Sequence, residues 1–79
     1  MDKLFKQAEF TDAVKAKMFN EMLAQKKRIS LQDFSEQIGI SKATLNRVYN
    51  GREPDINTFF ILCKWMKKPC SKFYNSGGE

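Results

Sequence analysis

Apolar positions along this chain recur three and four residues apart. No run of four to eight residues alternates apolar and polar with β-branched enrichment, so the pattern predicts helices and no sheet. Residues 1–10 read as a tail or a short extra helix, with Leu4, Phe5 and Ala8 close enough to share a face. Thr11 is a suitable N-cap, with Asp12 at the positive end of the following helix dipole. Val14, Met18 and Met22 then form one row, widened by Phe19 and Leu23. That row predicts an amphipathic helix over about 12–27, ending in the cations Lys26, Lys27 and Arg28.

Ser30 opens Ser-Leu-Gln-Asp, a variant of the capping box with Asp33 in place of Glu. Leu31, Phe34 and Ile38 follow at helical spacing over about eight residues, until Gly39 can take positive φ and stop the helix. Ser41 caps a third helix over about 42–49, with Leu45 and Val48 inward, closed by Asn50-Gly51. Arg52-Glu53-Pro54 is a linker. Asp55 caps a fourth helix over about 56–67, whose wide apolar face is Ile56, Phe59, Phe60, Cys63 and Met66. Pro69 starts a last short helix with Cys70, Phe73 and Tyr74, and the Gly-rich stretch 75–79 reads as a disordered tail. The expected fold is all-α, a compact bundle of about five short helices in one domain over 11–74.

Residues 30–52 carry the most information. Two short helices meet at a tight Gly-containing turn, the helix-turn-helix pattern. Ser35 is small where the third helix must cross closely, and its hydroxyl is expected to bond back to the i−4 carbonyl. Ile40 and Leu45 plug the angle between the helices. With Leu45 and Val48 inward, Lys42, Ala43, Asn46, Arg47 and Asn50 are left outside, with Thr44 at the edge.

The register Phe34-Ser35-x-x-x-Gly39-Ile40-Ser41, then Leu45, Asn50-Gly51, Pro54 and Pro69 to Phe73, resembles the Cro/cI-type (XRE-like) helix-turn-helix regulators over about 30–74. The resemblance implies a lambda-repressor-like bundle whose third helix enters the DNA major groove. It assigns base contacts to Lys42, Ala43 and Thr44, with Asn46 and Arg47 one turn later. Arg47 suits a bidentate contact to guanine and Asn46 one to adenine. It assigns phosphate contacts to Asn50 and Arg52, and Ser41, Lys27 and Arg28 are further candidates. Three positions depart from the family pattern. Leu31 stands where Gln is common, Ser35 where Ala is common, and Lys67 where a Gly usually ends the fourth helix, which predicts a differently wound turn there.

Charge sharpens this reading. The 79 residues carry a formal charge of +5 and a pI near 9.4. Residues 1–40 hold seven basic and six acidic side chains, whereas 41–79 hold seven and three, so the excess lies in the half with the third helix. Double-stranded DNA is the expected partner. With no His and two Cys, neither a His-based triad nor a tetrahedral Zn site is expected, and no Gly-rich phosphate loop occurs. The chain is therefore read as a non-enzyme without metal or cofactor. No secretory signal or membrane span is seen, so a cytoplasmic location with reduced thiols is expected.

Phe19, Phe34, Phe59 and Phe73 are expected in the core, Cys63 and Cys70 as small apolar fillers, and Tyr49 packed against the fourth helix, the alternative being a hydrogen bond to phosphate. Ile61 and Trp65 lie one turn apart at positions the family gives to polar or small residues. With Tyr74 they are candidates for a homodimer interface, the competing expectation being packing against residues 1–10. The chain thus reads as a sequence-specific, dimeric transcriptional regulator of repressor type, without room for a separate sensor domain. An antitoxin-type interaction module with autorepression, or an architectural factor in recombination or plasmid transfer, are the alternatives.

Overall fold

The computed structural model describes residues 5–73, which form four α-helices and a final 3₁₀ turn. They are α1 (Gln7–Gln25), α2 (Leu31–Ile38), α3 (Lys42–Tyr49), α4 (Ile56–Met66) and the turn Cys70–Phe73. The all-α bundle is as expected. α1 packs on α3, α4 and the 3₁₀ turn, while α2 packs on α3 and α4. The expectations for Leu4, Tyr74 and the tail 75–79 fall outside the described residues.

α1 corrects the expected start at Thr11. It begins five residues before the expected Asp12, with no side-chain cap at Lys6, and Thr11 lies buried inside it. The cause is Phe10, which is fully buried. Its ring meets those of Phe5 at 5.5 Å, Phe59 at 5.2 Å and Phe73 at 5.2 Å. These tilted and edge-on pairs are favoured by the ring quadrupoles. The Lys6 N–H donates to the Phe73 carbonyl at 2.7 Å, so the segment before α1 is stitched to the end of the described chain.

The buried row of α1 is consequently Phe10, Val14 and Met18, with Met22 partly buried at its end. Phe19 and Leu23, expected to widen that row, are 60% and 59% exposed. α4 is also rotated from the expected phase. Thr58, Phe59, Leu62, Cys63 and Met66 are buried, whereas Ile56 and Phe60 are exposed. Trp65 is half-buried, edge-on to Phe34 at 5.9 Å with the Lys17 Nζ 5.7 Å from its ring centroid, and Ile61 is half-buried too. Neither is freely exposed, and among the described residues Trp65 meets Phe34 and Lys17.

All four α-helices end the same way. A residue with positive φ follows the last turn, and the next N–H reaches back five residues: Lys27 to Met22, Ile40 to Ser35, Arg52 to Arg47 and Lys68 to Cys63. Gly39 and Gly51 occupy this position after α2 and α3, and Lys26 and Lys67 after α1 and α4. The turn after α4 is therefore wound like the others, not differently as Lys67 suggested. Lysine accepts the left-handed conformation at a steric cost that glycine avoids.

Two substitutions test this account. The Thr11 hydroxyl is buried without a hydrogen-bond partner. Thr11→Val keeps the shape and removes the unpaired polar atom, so it should stabilise the fold by about 1 kcal/mol in chemical denaturation. Lys67→Gly should add about 0.5–1 kcal/mol, the left-handed strain relieved less the greater flexibility of unfolded glycine.

Candidate nucleic-acid interface

α2 and α3 are each eight residues long, too short to be stable alone, so their place is set by caps and packing. Ser30 accepts from the Asp33 N–H at 3.1 Å and fixes the start of α2. Ser35 is buried. Its hydroxyl donates to the Gln32 carbonyl at 2.7 Å, three residues back rather than the four expected. Gly39, at φ 94°, turns the chain, and its N–H donates to the Ser35 carbonyl at 2.8 Å. Leu31 and Ile40 pack on the core from either end of this motif.

Ser41 fixes the start of α3 more tightly. Its oxygen accepts from the Thr44 N–H at 3.1 Å while its hydroxyl donates to Thr44 Oγ1 at 2.7 Å. The Thr44 hydroxyl proton is left pointing to other acceptors, on a side chain whose rotation Ser41 restricts. Leu45 and Val48, 0% and 1% exposed, set the roll of the helix. Lys42, Ala43, Asn46 and Arg47 are then exposed, and Thr44 is half-buried at their edge. Lys42 and Asn46 are four residues apart, about 6 Å along the axis, one above the other.

The segment after α3 is equally defined. Gly51, at φ 88°, donates to the Val48 carbonyl, and Arg52 donates to the Arg47 carbonyl at 2.9 Å. Asn50 itself keeps φ −87°, so only the glycine of the Asn-Gly pair is left-handed. Asn50 and Arg52 are exposed. Lys27 and Arg28 are exposed in the α1–α2 link, and Lys27 shares a shallow groove with Asp33 and Glu36. Glu53 and Asp55 border a groove with Thr44 and Arg47. Asp55 occupies the N-cap position of α4 without making the expected side-chain cap bond.

Sequence reasoning missed one cation. The Lys15 Nζ of α1 lies 4.8 Å from the centroid of the Tyr49 ring, late in α3. Tyr49 is 42% exposed, and α1 rather than α4 supplies this neighbour. Nothing local to Lys15 signals it, because the pairing depends on how α1 crosses α3.

Away from this surface, burial pushes the Cys63 thiol up to about 12, and a hydrogen bond with Cys70 adds to the shift. Both cysteines are free, and Cys63 is held as a neutral, inert thiol. Among the described residues no three His, Cys, Asp or Glu side chains converge on a metal position, and no helix is long and apolar enough to cross a membrane.

Two capped short helices, a left-handed glycine between them and a polar, cationic outer face on the second define a DNA-binding helix-turn-helix domain. Residues 19–66, 48 of the 79, match the Cro/C1-type HTH DNA-binding domain, and the chain belongs to that family. The family is a DNA-binding, non-enzymatic one. Nothing among curated proteins or solved structures matches the chain.

The Ser41 cap gives a direct test. Ser41→Ala should lower stability by about 1 kcal/mol, and Ser41→Gly by only a few tenths, in urea denaturation. Equal stability of all three proteins would show that the cap does not hold α3.

Proposed function

We propose that this DNA-binding domain is a sequence-specific transcriptional regulator that acts as a repressor. The observation that carries the reading is the sidedness of α3, with Leu45 and Val48 buried and Lys42, Ala43, Asn46 and Arg47 exposed together. α3 lies in the major groove with its N-terminal turn against base edges. Arg47 donates bidentately to guanine, Asn46 pairs with adenine, and Lys42 and Thr44 read neighbouring positions. Ala43 offers a methyl to thymine. Asn50, Arg52 and the Ser41 end of α3 hold phosphates, with Lys27 and Arg28 flanking them, and set the register.

One domain of this size reads few base pairs, so two copies bind half-sites about 34 Å apart. The parts of Ile61 and Trp65 left at solvent on α4 support a pairing surface there, with Tyr74 as a further candidate. Repression follows from occupancy alone, since a bound dimer blocks polymerase access.

Binding-site selection from random DNA should return a palindromic sequence. Against that sequence, Arg47→Ala should cost about 1–3 kcal/mol and relax preference at one base position. Affinity should fall steeply with salt, each neutralised phosphate adding about 0.9 to the log–log slope. Loss of affinity that is equal on selected and random DNA would remove Arg47 from the reading role.

A further inference from the structure

α1 carries a second apolar row that the fold does not use. Phe19 and Leu23 are 60% and 59% exposed, one turn apart, on the longest helix of the domain. Phe19 forms part of a groove of about 460 Å³ with Met22, Leu31, Phe34 and Tyr49. No carboxylate lines this groove, and Lys15 is its one charged side chain. Lys15 precedes Phe19 by four residues, and Lys26 and Lys27 follow Leu23 by three and four. The apolar stripe therefore has cations at both ends. Of the acids around the stripe, Glu21 is engaged, its Oε2 3.0 Å from the Lys17 Nζ, a contact that holds its carboxyl below the usual carboxylate range. Asp12 precedes Lys15 by three residues, and Asp33 and Glu36 lie beside Lys27, all outside the groove lining.

This charge pattern argues against a second copy of the chain. A two-fold pair needs a self-complementary patch. Two copies joined groove to groove would set Lys15 against Lys15, with no carboxylate in the lining to receive either. We propose that the groove beside Phe19 docks an acidic amphipathic segment of a partner protein, with apolar anchors at helical spacing and carboxylates facing Lys15, Lys26 and Lys27. Asn46 and Asn50 border the same groove. A segment seated there obstructs the face assigned to DNA, so the partner releases the domain from its operator. That second half rests on the DNA reading above, whereas the docking itself does not.

A phage-displayed random peptide library selected on the full chain, without DNA, tests the docking. The enriched peptides should be net acidic with apolar residues three and four apart. They should bind the double variant Phe19→Ser, Leu23→Ser at least about tenfold more weakly, a loss of about 1.4 kcal/mol. Circular dichroism should show that variant still folded, since both side chains are exposed. Lys15→Glu, which leaves the apolar stripe intact, should also weaken the acidic peptides. No enrichment, enrichment of basic peptides, or equal binding to the double variant overturns the docking. So does a double variant that turns a dimer into a monomer in sedimentation, because a second copy then covers the stripe. A peptide that docks yet leaves affinity for the selected DNA unchanged overturns the exclusion alone. Failure of the wild-type chain to select any DNA sequence counts against the regulator reading, and leaves the peptide result to stand by itself.

Discussion

The burial of Leu45 and Val48 is the constraint on which the functional surface depends. α3 has only eight residues, so it has little stability of its own and no freedom to choose its roll once these two side chains are in the core. Side chains on a helix repeat every 3.6 residues, and fixing two inward positions fixes the outward ones. Lys42, Ala43, Asn46 and Arg47 are exposed for that reason. The core beneath supplies rigidity from far along the chain. Phe10 and Phe59 bring α1 and α4 together, and Phe34 meets Trp65 between α2 and α4. The face proposed to read DNA is thus built on a regular element whose supports are aromatic and interlocked.

The ends of the helices obey a second common rule. Each last turn is closed by an N–H reaching back five residues across a left-handed residue. The two ends that flank the reading helix use Gly39 and Gly51, where this conformation carries no steric penalty. The two ends away from it use Lys26 and Lys67. Relaxed geometry is therefore found where the chain must place Ser41 and Arg52, and strain is tolerated where only a change of direction is needed. Lysine at the strained positions keeps a cation at the negative end of the dipole, which offsets part of the cost.

The helix-turn-helix was legible in the sequence because its signals are local. Ser30, Gly39, Ser41 and Gly51 each act within about four residues, and the bounds of α2 and α3 follow from them. The start of α1 was not legible. Thr11-Asp12 looks like a cap, and only the non-local packing of Phe10 against Phe59 and Phe73 draws the helix back to Gln7. The phase of α4 failed for a different reason. Eight of its eleven residues are apolar, so periodicity alone cannot choose between a face holding Phe60 and one holding Leu62. The same ambiguity made Ile61 and Trp65 look unpartnered, although Trp65 meets Phe34. On α1, Phe19 and Leu23 were assigned to the core because an apolar residue carries no mark that says which of two rows will face inward. The candidate site was legible in its residue types and spacing. Lys15 was not, since only the crossing of α1 over α3 brings it to Tyr49.

Electrostatics completes the link between fold and function. The ion pair found among the described residues, Lys17 with Glu21, lies on α1 and not on the reading surface. Lys42, Arg47 and Arg52 are exposed without an ion-pair partner among the described residues, even though Glu53 and Asp55 border the groove that Arg47 shares. Exposed ion pairs contribute little to stability, so leaving these cations unpaired sacrifices little of it. On the proposed DNA reading, the gain is that these charges are free to displace counterions from a phosphate backbone, a term that grows with each phosphate neutralised. Carboxylates close to Arg47 oppose that gain locally. On the proposed reading, they make a generic phosphate contact at Arg47 less favourable than a directed hydrogen bond to a base edge, which tilts the balance from affinity toward discrimination.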